Sequence, residues 1–147
     1  MGDPTWVEIV VLTESLPQVK EFLDEEAQIS EGNILTSLYY HAVDNGCIEE
    51  QHELTKAGIP YNYDWGKGDF YTSGTKYIRF TPEGELEHIE YCESEINPPI
   101  EKLLELVPTP RKLAEYVQQY SDELTPLPWD NQVEYGKRFR ALQLLNT

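Results

Sequence analysis

Five side chains in this sequence could ligate a soft metal ion, and all fall between residues 41 and 92: His41, Cys47, His52, His88 and Cys92. On a regular strand His88, Glu90 and Cys92 would share one face, because strand side chains alternate. Zinc asks for four N, S or O donors in a tetrahedral array. The spacing that makes such an assignment specific is missing, since the chain has neither a C-x-x-C pair nor an H-E-x-x-H helix. A metal set of His41, His52, His88 and Cys92 therefore stands as the alternative reading, and the expectation is no metal and no cofactor. A Cys–His nucleophile built on Cys47 or Cys92 meets a further objection. A reactive thiolate needs a basic microenvironment, and both cysteines sit among glutamates. Two reduced thiols packed as small hydrophobes are expected instead; spacing does not say whether they pair.

Other chemistry is excluded on similar grounds. Gly66, Gly68 and Gly74 punctuate a loop, GKGDFYTSG, without the G-x-x-x-x-G-K-[ST] order or a following helix that phosphate binding requires. Asp44, Asn45, Glu49 and Glu50 lack the register of a calcium loop. With 27 Asp and Glu, no carboxylate pair stands out for acid–base work. No catalytic signature is present. The remaining cluster is aromatic: Tyr61, Tyr63, Trp65, Phe70 and Tyr71 surround the glycine loop, beside Asp64 and Asp69. Such residues either plug a sheet or anchor a partner.

Charge supplies the strongest functional signal. Residues 1–95 hold 20 Asp/Glu against 5 Lys/Arg, a net of −15, while residues 96–147 hold 7 acids and 6 bases. Between Lys20 and Lys56 there are nine acids and no base, and between Arg79 and Lys102 seven glutamates and no base. This surface repels nucleic acids and anionic membranes by the electrostatics that draw basic proteins to them. It suits a basic partner. The expectation is a non-enzymatic interaction protein that engages a basic protein surface through Glu21, Asp24, Glu25, Glu83, Glu85, Glu87, Glu90 and Glu93, with the aromatic loop as a second contact. Its sharpest form is a nucleic-acid mimic, an inhibitor of the mobile-element type whose carboxylates stand in for phosphates before a nucleic-acid-binding protein. The alternative is a small-ligand or metal-binding domain, enzymatic or not, on the aromatic loop and nearby His and Cys. A third, weaker reading is an oligomer-forming accessory protein.

These residues need a scaffold, and the chain is long enough to build one. Its 147 residues, with 39% hydrophobic and 12% aromatic content, suit one domain with a real core. No apolar run approaches the ~20 residues of a membrane span. The N-terminus has no basic leader, and Trp6 occupies the Ser/Thr position of a myristoylation signal. A cytoplasmic protein is expected.

Thr5–Leu12 reads as a buried first strand. Ser15 and Pro17 open a helix whose stripe is Leu16, Val19, Leu23 and Ala27, with Phe22 beside it. Glu31-Gly32-Asn33 breaks it, and Ile34–Val43 is a second strand closed by Asp44-Asn45-Gly46, a helix over 34–43 being the alternative. Ile48–Ala57 is a short helix stopped by Gly58, and Tyr61–Trp65 a strand. Lys76–Thr81 and Glu85–Glu93 form a hairpin about Pro82-Glu83-Gly84. Leu86 falls out of alternation with Ile89 and Tyr91, so a bulge near His88 is predicted. A helix opens at Asn97 or Pro98 with Ile100, Leu103, Leu104 and Val107. Another opens at Thr109-Pro110 with Leu113, Val117 and Tyr120. A last one, capped by Asp130, aligns Tyr135, Phe139, Leu142 and Leu145 and carries Lys137, Arg138 and Arg140. The fold class is α+β: a small mixed or antiparallel sheet with a hairpin at about 76–93, an N-terminal strand–helix unit and a helical tail packed on one face. The chain divides as 1–95, acidic α/β, and 96–147, helical, within one domain.

Overall fold

Alternation in the first segment commits it to a strand with one face inward. Strand β1 spans Pro4–Leu12 and buries Val7, Ile9 and Val11 completely. The computed structural model describes residues 2–23 and 26–146. Around β1 it builds one six-stranded sheet from β2 (Gln28–Glu31), β3 (Leu35–Asp44), β4 (Tyr61–Trp65), β5 (Gly74–Phe80) and β6 (Leu86–Cys92). The order is β2-β3-β1-β4-β5-β6, and every neighbour is antiparallel. This is the expected α+β class. The helices are α1 (Leu16–Phe22), α2 (Gln51–Lys56), α3 (Ile100–Leu106), α4 (Pro110–Glu123) and α5 (Gln132–Leu145). None of the described helices is long and apolar enough to cross a membrane.

One sheet face carries the core. Val7, Ile9, Val11, Leu38, Tyr61, Ile78 and Phe80 point into it, and Leu16, Val19 and Leu23, Leu54 of α2 and Phe139 of α5 close it. The chain enters α1 through a 3-10 turn, Thr13–Ser15, and Ser15 occupies the cap position without a side-chain cap bond.

Four expectations are corrected. The first helix ends at Phe22, and Leu23 is already extended (φ −103°, ψ 145°). Gln28–Glu31 then pairs with Thr36–Tyr39 as an edge strand that the helical stripe through Ala27 had hidden. The bulge near His88 is absent: β5 and β6 run in unbroken register from Gly74↔Cys92 to Phe80↔Leu86. In that register Leu86 lies opposite Phe80 and Ile89 opposite Tyr77, so the two point to opposite faces of a regular hairpin, with Leu86 left 42% exposed. A register shift occurs in β1 instead, between Thr5 and Val7. The residue before α5 is Asn131 in the left-handed region (φ 62°), not Asp130.

The helical tail meets the sheet through α5. Phe139 stacks on Phe80 with ring centroids 4.9 Å apart. Gln132, 1% exposed, accepts from the Phe80 N–H and donates to the Phe80 C=O, both at 2.8 Å. Arg79 on the opposite face holds the Leu127 carbonyl at 2.9 Å, while Glu87 accepts from the Leu127 N–H at 2.8 Å. Gly58 and Gly136 let the end of α2 and the middle of α5 touch backbone to backbone; a Cβ on Gly136 would run into the Gly58 carbonyl. Gly136→Ala is therefore expected to cost about 1–3 kcal/mol, measured by urea unfolding. A change within about 0.5 kcal/mol, the ordinary surface value, would contradict this contact.

Candidate functional site

Register places several connections at one end of the sheet. Pro4 lies opposite Asp44, Val7 opposite Trp65, Trp65 opposite Gly74, and Gly74 opposite Cys92. The N-terminal segment, the Asp44–Glu50 turn, the loop after Trp65 and the Glu93–Glu95 turn therefore meet there. Residues 2–3, 44–50, 64–75 and 90–95 contribute nine Asp and Glu and a single basic residue, Lys67. Folding thus gathers carboxylates that are scattered in sequence.

The aromatic loop is held in place at this end. Tyr71 Oη donates to the Asp3 carbonyl at 2.6 Å, and the Phe70 N–H donates to Asp3 Oδ2 at 3.0 Å. Trp65 Nε1 donates to the Thr72 carbonyl at 3.0 Å, and the Glu93 N–H to the Ser73 carbonyl at 2.9 Å. Phe70 itself is 92% exposed. A large apolar ring on a loop pinned from both sides loses little freedom on binding. Tyr61 and Tyr63, grouped with this loop on sequence, are core residues of β4 at 0% and 3% exposure. Burial pushes the Tyr61 phenol up to about 12, and its hydroxyl bonds Thr55 at 2.9 Å. Tyr63 Oη donates to the Gly46 carbonyl at 2.7 Å and accepts from the Ile48 N–H at 2.8 Å. The aromatic surface is left to Phe70, Tyr71 and Trp65.

The acidic residues predicted for partner binding divide among several places. Glu83 and Glu85 are exposed at the hairpin tip, and Glu21 is exposed on α1. Asp24 and Glu25 lie outside the described residues. Glu87 is engaged with Leu127, and Glu93 accepts from Ser73 Oγ at 3.1 Å. Glu90 stands 3.7 Å from His88. The basic cluster of α5 adjoins the hairpin tip, where Arg138 donates to the Pro82 carbonyl.

A cavity of about 560 Å³ opens between α2, the Asn45–Cys47 turn and the ends of β4, β5 and β6. Tyr63, Trp65 and Tyr71 form walls, and Gln51, His52, Cys47, Cys92 and Glu90 also line it. At its base is Lys76, 6% exposed. Its ammonium donates to Gln51 Oε1 and lies 5.5 and 5.4 Å from the ring centres of Tyr61 and Tyr63. Burial pulls the Lys76 amine below its ordinary value, and Glu90 and Cys47 oppose that pull. Lys76 forms no ion pair with any described carboxylate, although Glu90 faces it in the ladder.

The four alternative metal ligands are not brought together. His41 sits on β3 beside Gln28 Oε1 (3.3 Å) and the Tyr39 ring. Three strands separate β3 from the His88 and Cys92 strand, β6. At ~4.8 Å between adjacent strands no ion could reach both. Only His52 and Cys92 share the cavity. Among the described residues no group of three or more His, Cys, Asp and Glu could hold a metal ion. Cys47 and Cys92 are free thiols lining the same cavity.

No protein-family model, curated protein or solved structure matches the chain. Function has to be read from the site alone. Sequence reasoning overlooked Lys76, Gln51 and Asp3. The signal for Lys76 was available: it has the same parity in KYIRF as Ile78 and Phe80, so a strand that buries those two must also turn the lysine inward. Asp3 had none, because its value depends on a loop more than sixty residues away.

Proposed function

We propose that the protein is a binding module whose acidic, aromatic sheet end docks on a basic protein surface. The observation that carries this is Phe70, 92% exposed on a loop pinned by Asp3, Trp65 and Glu93. Around it the converging connections contribute nine carboxylates and one lysine. An anchored aromatic ring offers a hot spot, and the carboxylates steer and orient a basic partner. Mimicry of a nucleic acid is the specific form of this reading: a basic groove that binds phosphates would accept carboxylates in their place.

The test compares proteins retained from a cell lysate by the wild type, by Phe70→Ala and by the double variant Glu50→Lys, Asp69→Lys. A specific partner should be lost from both variants and released as salt shortens the Debye length from ~10 Å at 0.1 M to ~3 Å at 1 M. Phe70→Ala should cost that complex about 2 kcal/mol, the hot-spot range, or roughly thirty-fold in Kd. Displacement by DNA or RNA would identify the partner as a nucleic-acid-binding protein. Equal retention on wild type and both variants would remove this surface from the interaction.

A further inference from the structure

The cavity beside the aromatic loop holds an amine where a packed core would hold a methyl group. Lys76 belongs to the inward row of β5 with Ile78 and Phe80, and it lies at the base of the 560 Å³ space. A buried ammonium is costly unless a counter-charge meets it. In a chain of net charge −16, none of the described carboxylates forms an ion pair with it. Its polar partner is the neutral amide of Gln51, and the tyrosine rings supply the rest of its surroundings.

The chemistry of the walls selects a class of occupant. Tyr63, Trp65 and Tyr71 offer aromatic surface to a flat apolar body. The carboxylates around this end of the sheet disfavour an anion, and Lys76 at the base disfavours a cation. What remains is a neutral molecule with a group that an amine can engage. We propose that this cavity binds a small neutral aldehyde or ketone with a flat apolar body, which Lys76 captures as an imine. The Nζ lone pair forms a bond to the carbonyl carbon, the C=O bond breaks, and the oxygen leaves as water with both hydrogens of the neutral amine. The third proton of a resting ammonium passes to solvent, and no oxidation or reduction takes place. Desolvation that pulls the amine below its ordinary value favours the nucleophilic form. The groups facing it are Glu90 and Cys92 of β6, Cys47 of the turn, His52 of α2, and Tyr61 and Tyr63 of β4. This site is independent of the partner surface proposed above, since it requires neither Phe70 nor the outer carboxylates.

The full chain is treated near neutral pH with limiting benzaldehyde and sodium cyanoborohydride, which traps an imine as a benzylamine, and adducts are mapped by peptide mass spectrometry. Burial alone would make Lys76 the least labelled of the seven lysines. The proposal predicts the opposite: labelling of Lys76 at least about ten-fold above each of Lys20, Lys56, Lys67, Lys102, Lys112 and Lys137, the ratio that about 1.4 kcal/mol of aldehyde binding in the cavity supplies. Benzyl alcohol, which fills the cavity without reacting, should slow labelling at Lys76 alone, and unfolding in urea should erase the preference. Labelling that follows exposure, with Lys76 last, overturns the proposal. So does protection by benzoate but not by benzyl alcohol, which would make the cavity an anion site.

Discussion

Arg79→Met should lower the unfolding free energy by about 3–5 kcal/mol, because four acceptors lose their donor at roughly 1 kcal/mol each. Arg79 is 2% exposed although it carries a full charge. Its Nε donates to the Leu127 carbonyl at 2.9 Å, Nη1 to the Tyr61 and Ile78 carbonyls at 3.2 and 3.1 Å, and Nη2 to Asn62 Oδ1 at 2.7 Å. The guanidinium also lies 3.7 Å above the Trp129 ring. Burial lowers its pKa to about 10, so it stays charged at neutral pH. Methionine fills much of the volume but leaves four oxygens without these donors, each worth about 1 kcal/mol or more when stranded. Arg79→Lys should rescue little, because one ammonium cannot span the four acceptors that a planar fork reaches. Urea unfolding of the three proteins is the check. A loss under about 1 kcal/mol for Arg79→Met would mean that the Leu127–Trp129 segment is not held by this side chain.

Phe80→Ala is expected to cost a comparable amount, about 3–5 kcal/mol. Phe80 is fully buried, and its ring is the contact on which Phe139 seats α5. The two substitutions should differ in where the damage appears. Loss of Phe80 should speed amide hydrogen exchange throughout α5, whereas loss of Arg79 should leave α5 protected and free the segment before it. If α5 exchanges at its wild-type rate in Phe80→Ala, the helix docks by some other contact.

The elements with strict patterns were legible in the sequence. An apolar β-rich run marked β1, β-forming residues marked β3, and the break at Gly58 and Pro60 marked the start of β4. Alternation with Pro82-Glu83-Gly84 marked the β5–β6 hairpin, while Asn45-Gly46 and Gly58 marked turns that do adopt positive φ. What failed was whatever depended on a distant neighbour. Gln28–Glu31 has every residue exposed and becomes a strand only because β3 offers it an edge. The slip between Leu86 and Ile89 suggested a bulge because a one-sided hairpin was assumed; the tail that covers the second side is joined by Glu87 to Leu127, forty residues on. The site was half readable. The aromatic loop was identified from its composition, but the inward turn of Tyr61 and Tyr63 follows from strand parity, and the gathering of nine carboxylates follows from register alone.

The amide of Gln132 acts on Phe80 as the backbone of a neighbouring strand would, supplying one acceptor and one donor to the same residue. In the order of synthesis, this makes the sheet wait for its finishing piece. All six strands have been synthesised once residue 92 is made, yet the Phe80 rung of β5 stays open until residue 132 follows. The Phe80 end of the core stays uncovered until residue 139, although α1 and α2 can already cover the rest. Over that interval the nascent chain carries a sheet with an unfilled hydrogen-bonding position and a bare Phe80, the kind of surface that chaperones recognise.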